Sequence, residues 1–220
     1  MSGKYNGVYA RILNTIPGAT YVHCKSHCLN LAIVHSCCKD NSVRNVMTTV
    51  QEIGFAFDYS AKRLQAFFDG LAADAATKEN MEKRTKLRTL CETRWTSRAD
   101  ALCIFKTAFP VVVHALERLQ NLGDDKAGQH LASLMRFQFV IALVVSEHIL
   151  QSTVHLSTFL QGVECQLLEA VNECKTVVEM LCSERDTVWN ELYQTALDIA
   201  EPFEIVESVP RRCRRQAHKS

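Results

Sequence analysis

Glycine and proline are scarce: 8 and 4 in 220 residues. All-β sandwiches and barrels need many turns built on these two residues, so that class is excluded first. Long apolar runs are also missing. The longest, Phe139 to Val145, is seven residues, against roughly 20 for a helix that spans a bilayer, so no membrane partner is expected. The opening MSGKYNGVYA has no apolar stretch of the kind a signal peptide carries. The ten cysteines therefore read as reduced, small apolar residues rather than as a disulfide framework. No Gly-rich phosphate loop, HExxH or GxSxG occurs. What is present is 47% apolar and 22% charged residues, a composition that folds and buries a core.

The net charge of +1 conceals an uneven distribution. Residues 1–100 carry 14 Lys or Arg against 9 Asp or Glu, residues 101–210 carry 6 against 15, and the last ten carry 5 basic and no acidic residues. Phosphates must be met by Lys or Arg, so a nucleic-acid surface belongs in the first hundred residues or the tail.

The periodicity is helical nearly throughout. Tyr5 to Ile16 predicts a short amphipathic helix stopped by Pro17-Gly18. Thr20 to Cys24 is β-favouring and runs into an apolar helix from Ser26 to Cys38, which together read as an α/β fragment. From Ser42 onward, apolar residues recur at threes and fours. Asp74 to Arg88 reads as a loop or exposed segment, Leu102 to Leu119 as a helix kinked at Pro110, and Asn121 to Asp125 as a turn. Leu131 to Leu150 predicts a central buried helix, and Leu156 to Leu181 a long amphipathic one. Ser183-Glu184-Arg185-Asp186 has capping-box spacing and should open the last helix. The fold class is thus mainly α. A short α/β piece spans residues 1–38, a helical domain 39–210, and a basic tail 211–220.

Two segments carry chemistry. In His23-Cys24-Lys25-Ser26-His27-Cys28, a zinc site would draw on Cys24, His27 and two later ligands. Cys37 and Cys38 are adjacent and poorly spaced for one ion, so a buried strand end is the preferred reading and no metal or cofactor is expected. The second segment, Cys91 to Asp100, contains Thr93-Arg94-Trp95. Ser97 and Asp100 have capping-box spacing, which places Arg94 and Trp95 just before a helix N-terminus, where free N–H groups favour phosphate. Arg98 would lie in the first turn, with Lys83, Arg84, Lys86 and Arg88 upstream. A Trp face beside an Arg suits stacking on an unpaired base. It equally suits a core anchor at a helix junction, and the residues alone favour that second reading.

HCKSHCLNL (His23 to Leu31) followed by TRW (Thr93 to Trp95), with MSGKYNGVYARI at the start and SVPRRCRRQAHK at the end, resembles the hAT-superfamily transposases, in particular their domesticated, transposon-derived branch. The resemblance implies that residues 1–38 are a remnant of an RNase H-like core and that the remainder is its helical insertion. It places Cys24 and His27 at the edge of the active site, and Arg94 and Trp95 on transposon DNA; with Arg98 of the helix's first turn, these five are the expected nucleic-acid-binding residues. It implies a nuclear protein whose partners are DNA, itself or other transposase-like chains. It also puts the three metal-binding acids outside these residues: two before Met1 and one beyond the insertion. The expectation is a catalytically inactive fragment, not an enzyme. The alternative is a helical protein–protein interaction module, for dimerisation or as a scaffold, without nucleic-acid binding.

Overall fold

The computed structural model describes residues 7–19, 24–37, 39–82, 84–90, 95–163 and 165–208, with residues 95–97 as backbone only. The described residues form helices and contain no strand. In chain order these are α1 (Val8–Thr15), α2 (Lys25–Cys37), α3 (Asn41–Asp58), α4 (Ala61–Ala73), α5 (Ala75–Asn80) and α6 (Trp95–Thr107). Then follow α7 (Phe109–Asn121), α8 (Asp125–Leu134), α9 (Phe137–Ser152), α10 (Val154–Leu160), α11 (Leu167–Glu184) and α12 (Trp189–Ala200).

Local chemistry sets several of the helix starts. Asp40 accepts from the N–H groups of Ser42 and Val43 at 2.8 and 3.1 Å and caps α3. Ser60 caps α4, Asp74 caps α5 and Asp124 caps α8 in the same way. Gly123, with φ of +82°, makes the turn between α7 and α8. Pro110 lies in the first turn of α7, where its missing N–H breaks no helical bond. The expected kink is therefore a full change of direction, with α6 and α7 meeting at 71°.

α9 is the hub of the main body. It is apolar all round and packs against α3, α6 and α12. Phe139 meets Phe105 of α6 edge-on, with centroids 6.4 Å apart. α7 closes the other side against α4 and α8. By length and composition, Phe137–Leu160 would suffice to cross a membrane. Here most of the apolar side chains of α9 are buried in the core instead.

A second, smaller cluster joins Leu156 and Leu160 of α10 to Ala170 and Val177 of α11, with Leu29 of α2 packed against it. α2 also sends Ile33, Val34 and Cys37 to the main core. Its one buried residue is Asn30, whose Oδ1 has no hydrogen-bond partner.

Several expectations need correcting. Of the expected strand Thr20–Cys24, residues 20–23 lie outside the described residues, and Cys24 is irregular chain ahead of α2. The segment 74–88 is mostly exposed, as expected, but it contains α5 and pins itself to the body through buried Thr77, Met81 and Leu87. The helix expected over Leu131–Leu150 breaks at Met135–Arg136, where α8, packed mainly on α7, gives way to α9, packed on α3, α6 and α12. The helix expected over Leu156–Leu181 breaks across 161–166, at Gly162. Ser183 to Asp186 caps nothing. α11 runs through Glu184, and Val188 precedes α12 with no side-chain cap.

Candidate nucleic-acid interface

Cys24 and His27 sit at the start of α2 and are exposed. Between them, Lys25 turns inward and donates from Nζ to the Cys165 carbonyl at 2.9 Å. That bond ties the start of α2 to the α10–α11 connection. Among the described residues no three His, Cys, Asp or Glu side chains gather in a way that would hold a metal ion. The Cys24–His27 pair therefore stands at the surface rather than in the buried strand end that the sequence suggested.

α6 starts at Trp95, three residues earlier than a capping box with Ser97 as its N-cap implied. Asp100 does not cap it, because its Oδ2 accepts from Arg88 Nη1 at 2.7 Å. Arg94 lies outside the described residues, and only the backbone of Trp95 is described. Arg98 is half-buried on the first turns of α6.

The chain enters α6 along a short strap, residues 84–90, laid across α3. Leu87 is buried beneath it. The Leu90 N–H donates to Gln51 Oε1. A side chain at Gly54 would meet Thr89 at 3.4 Å, so the strap lies close against the helix. Arg84, Lys86 and Arg88 are exposed on its outer side. Of the basic cluster read from the sequence, Arg84, Lys86 and Arg88 are thus carried on a segment that lies against α3 and is joined to α6 by the Arg88–Asp100 pair, while Lys83 lies outside the described residues.

Behind α6, Lys106 Nζ pairs with Glu147 Oε2 at 2.5 Å, and Glu147 is 8% exposed. Burial first, and then the Glu147 carboxylate, push the Cys103 thiol above its ordinary range. That is the opposite of what a cysteine nucleophile requires.

The sequence reading missed an apolar groove of about 730 Å³ between α2 and α11, floored by Leu160 and Ala170. Val171 and Val178 of α11 line one wall and Leu29 and Ala32 of α2 the other, with Lys25, Lys175 and Glu179 at the rim. The recurrence of Leu167, Val171 and Val178 was legible as a helix face. That the face stays open was not. α10 contacts both α2 and α6, the helices that the two segments singled out in the sequence lead into.

Comparison with characterised proteins gives a distant but end-to-end likeness. The chain is 24% identical over 229 aligned positions to the 52 kDa repressor of the inhibitor of the protein kinase of Homo sapiens, covering 99% of this chain and 30% of that protein. Its Mus musculus counterpart is 25% identical, with 97% and 29% covered. The chain spans about a third of the length of these relatives. No protein-family model matches. No solved structure matches.

Proposed function

We propose that these residues are the helical portion of a hAT transposase-derived regulatory protein that contacts DNA in the nucleus and does not cleave it. The observation that carries this is the strap 84–90, which presents Arg84 and Lys86 and is joined to α6 by the Arg88–Asp100 pair. Exposed cations on a fixed support bind phosphates. The Thr93-Arg94-Trp95 motif that resembles the family's DNA-holding pair leads directly from that strap into α6. The end-to-end likeness to proteins named as repressors supports a regulatory, nuclear role.

The α/β remnant of residues 1–38 belongs to the same proposal, with α2 as its helix. A two-metal cleavage site needs carboxylates converging on the ions. Among the described residues no three metal-ligating side chains gather, and the reading assigns this region DNA contact rather than metal-dependent cleavage.

The test is the affinity of the protein for a fluorescent DNA duplex, measured across a salt series. Binding should weaken with salt, and Arg94→Ala with Trp95→Ala should reduce both the affinity and the salt slope, the slope by about 1 for each phosphate that is no longer neutralised. An unchanged affinity in the folded double variant would remove the assignment.

One observation favours a second reading, pairing with another copy through the α2–α11 groove. Lys175 and Glu179 stand one turn apart at its rim, so a twofold arrangement would set each Lys against the partner's Glu. Sedimentation across a concentration series decides it: a concentration-independent monomer rejects this reading.

A further inference from the structure

We propose a phosphate-binding pocket at the junction of α3, α8 and α9, separate from the Arg94–Trp95 segment and independent of the reading above. The pocket, about 350 Å³, is lined by Ser42, Arg44, Asn45, Thr48 and Thr49 of α3, by Ser133 of α8, and by Arg136, Gln138 and Phe139 where α9 begins. Its lining includes two guanidinium groups, four hydroxyls and two amides, and no carboxylate.

The charge of the lining is what points to an anion. Four other cations of the body pair with carboxylates: Arg63 with Asp124, Arg88 with Asp100, Lys106 with Glu147, and Arg118 with Asp69. Among the described residues, neither Arg44 nor Arg136 pairs with a carboxylate. Arg44 Nη2 donates to Asn41 Oδ1 at 2.6 Å, which fixes the guanidinium and leaves its other N–H groups for a ligand. Asp40, the acidic residue closest in sequence, is engaged by the N–H groups of Ser42 and Val43.

The walls are built as well as charged. Gln138 Nε2 donates to Ser42 Oγ at 2.9 Å and joins the first turn of α9 to that of α3. Arg136 occupies the N-cap position of α9, and no side chain caps that end. Two exposed arginines lining one concave, hydroxyl-bearing space suit a tetrahedral oxyanion, since each N–H···O⁻ bond is charge-assisted. The pocket and the strap share α3: Arg44, Thr48 and Gln51 fall along one row of that helix, and Gln51 holds the strap.

The phosphate has two sources, a small free anion or the backbone of a nucleic acid, and paired titrations separate them. Pyrophosphate titrated into the full chain should bind saturably and raise the melting temperature. Arg44→Ala with Arg136→Ala should weaken that binding about tenfold or more, as expected when two charge-assisted bonds are removed. Lys62→Ala with Lys126→Ala, exposed cations that do not line the pocket, should leave it unchanged. If the pocket takes a nucleic-acid phosphate, the Arg44/Arg136 variant also loses duplex affinity; if it takes a free anion, duplex affinity is retained. Equal pyrophosphate binding by wild type and the folded Arg44/Arg136 variant, or none by wild type, overturns the proposal. Arg44→Lys with Arg136→Lys serves as a control for folding, because it keeps the charge and should retain part of the affinity.

Discussion

α7 and α11 are both long amphipathic helices, and they have opposite fates. Seven of the 13 residues of α7 are buried, from Phe109 through Leu119. Of the 18 residues of α11, only Ala170 and Val177 are. The first belongs to a body in which α9 is surrounded by other helices. The second belongs to a thin layer with α2 and α10, covered on one side. Amphipathic patterning is similar in both, so the pattern records that a helix has an apolar face and not whether that face is covered. Stability should divide along the same line, with α2 and α11 opening more readily than α7 and α9.

The largest test of this contrast is a pair of truncations. Phe105→Ala removes a fully buried ring from the body and should cost about 4 kcal/mol, lowering the urea midpoint of the whole molecule. Leu160→Ala in the thin layer should cost about 2 kcal/mol, at the low end of the range for such truncations, because the site is open to a groove. Equal losses would erase the distinction.

Next in size is the Lys106–Glu147 pair. Lys106→Met leaves a carboxylate that is 8% exposed without its partner and should destabilise the body by about 3 kcal/mol. Adding Glu147→Leu should recover most of that loss, which chemical denaturation of both variants would show.

A pH series sharpens the comparison further. Asp124 is held down to about 2, first by its hydrogen bonds from Arg63 and then by the Ala127 N–H, against the opposing effect of burial. A depressed carboxylate stabilises the fold above its unfolded value near 4. That contribution is lost as pH falls from about 4 through about 2. Asp124→Asn keeps a capping side chain at α8 but should flatten the stability profile in that window. The thin layer, tied by the Lys25–Cys165 bond, should show no such acid step.

The smallest effect should come from Asn30→Leu. Asn30 is buried in α2 with Oδ1 unpartnered. Replacing it should stabilise the thin layer by about 1 kcal/mol. Slower amide exchange in α2 with no change in α9 is the expected result; faster exchange in α2 would mean that Asn30 has a role in holding that helix.

Much of the helical body was legible because its cause is local. The spacing of Val46, Val50, Ile53 and Phe57 gave α3, and an all-apolar run gave α9 its central place. Helix breaks were less legible. Ser183 to Asp186 has the residues of a capping box but lies where α11 is still helical, since neighbouring packing outweighs a capping preference. Asp100 was read as a cap because of its spacing from Ser97, whereas Arg88, twelve residues away, takes the carboxylate. The candidate site divides similarly. The basic strap was visible as a run of Lys and Arg. The pocket that pairs Arg44 with Arg136 was not, because those residues are 92 positions apart and only the packing of α3 against α9 brings them together.

The seven residues of α10 belong to both neighbourhoods. Leu160 floors the groove, and the same helix rests on α6, whose first residue is Trp95. The floor of the groove is therefore also a join between the thin layer and the body, because α10 contacts both α6 and α9.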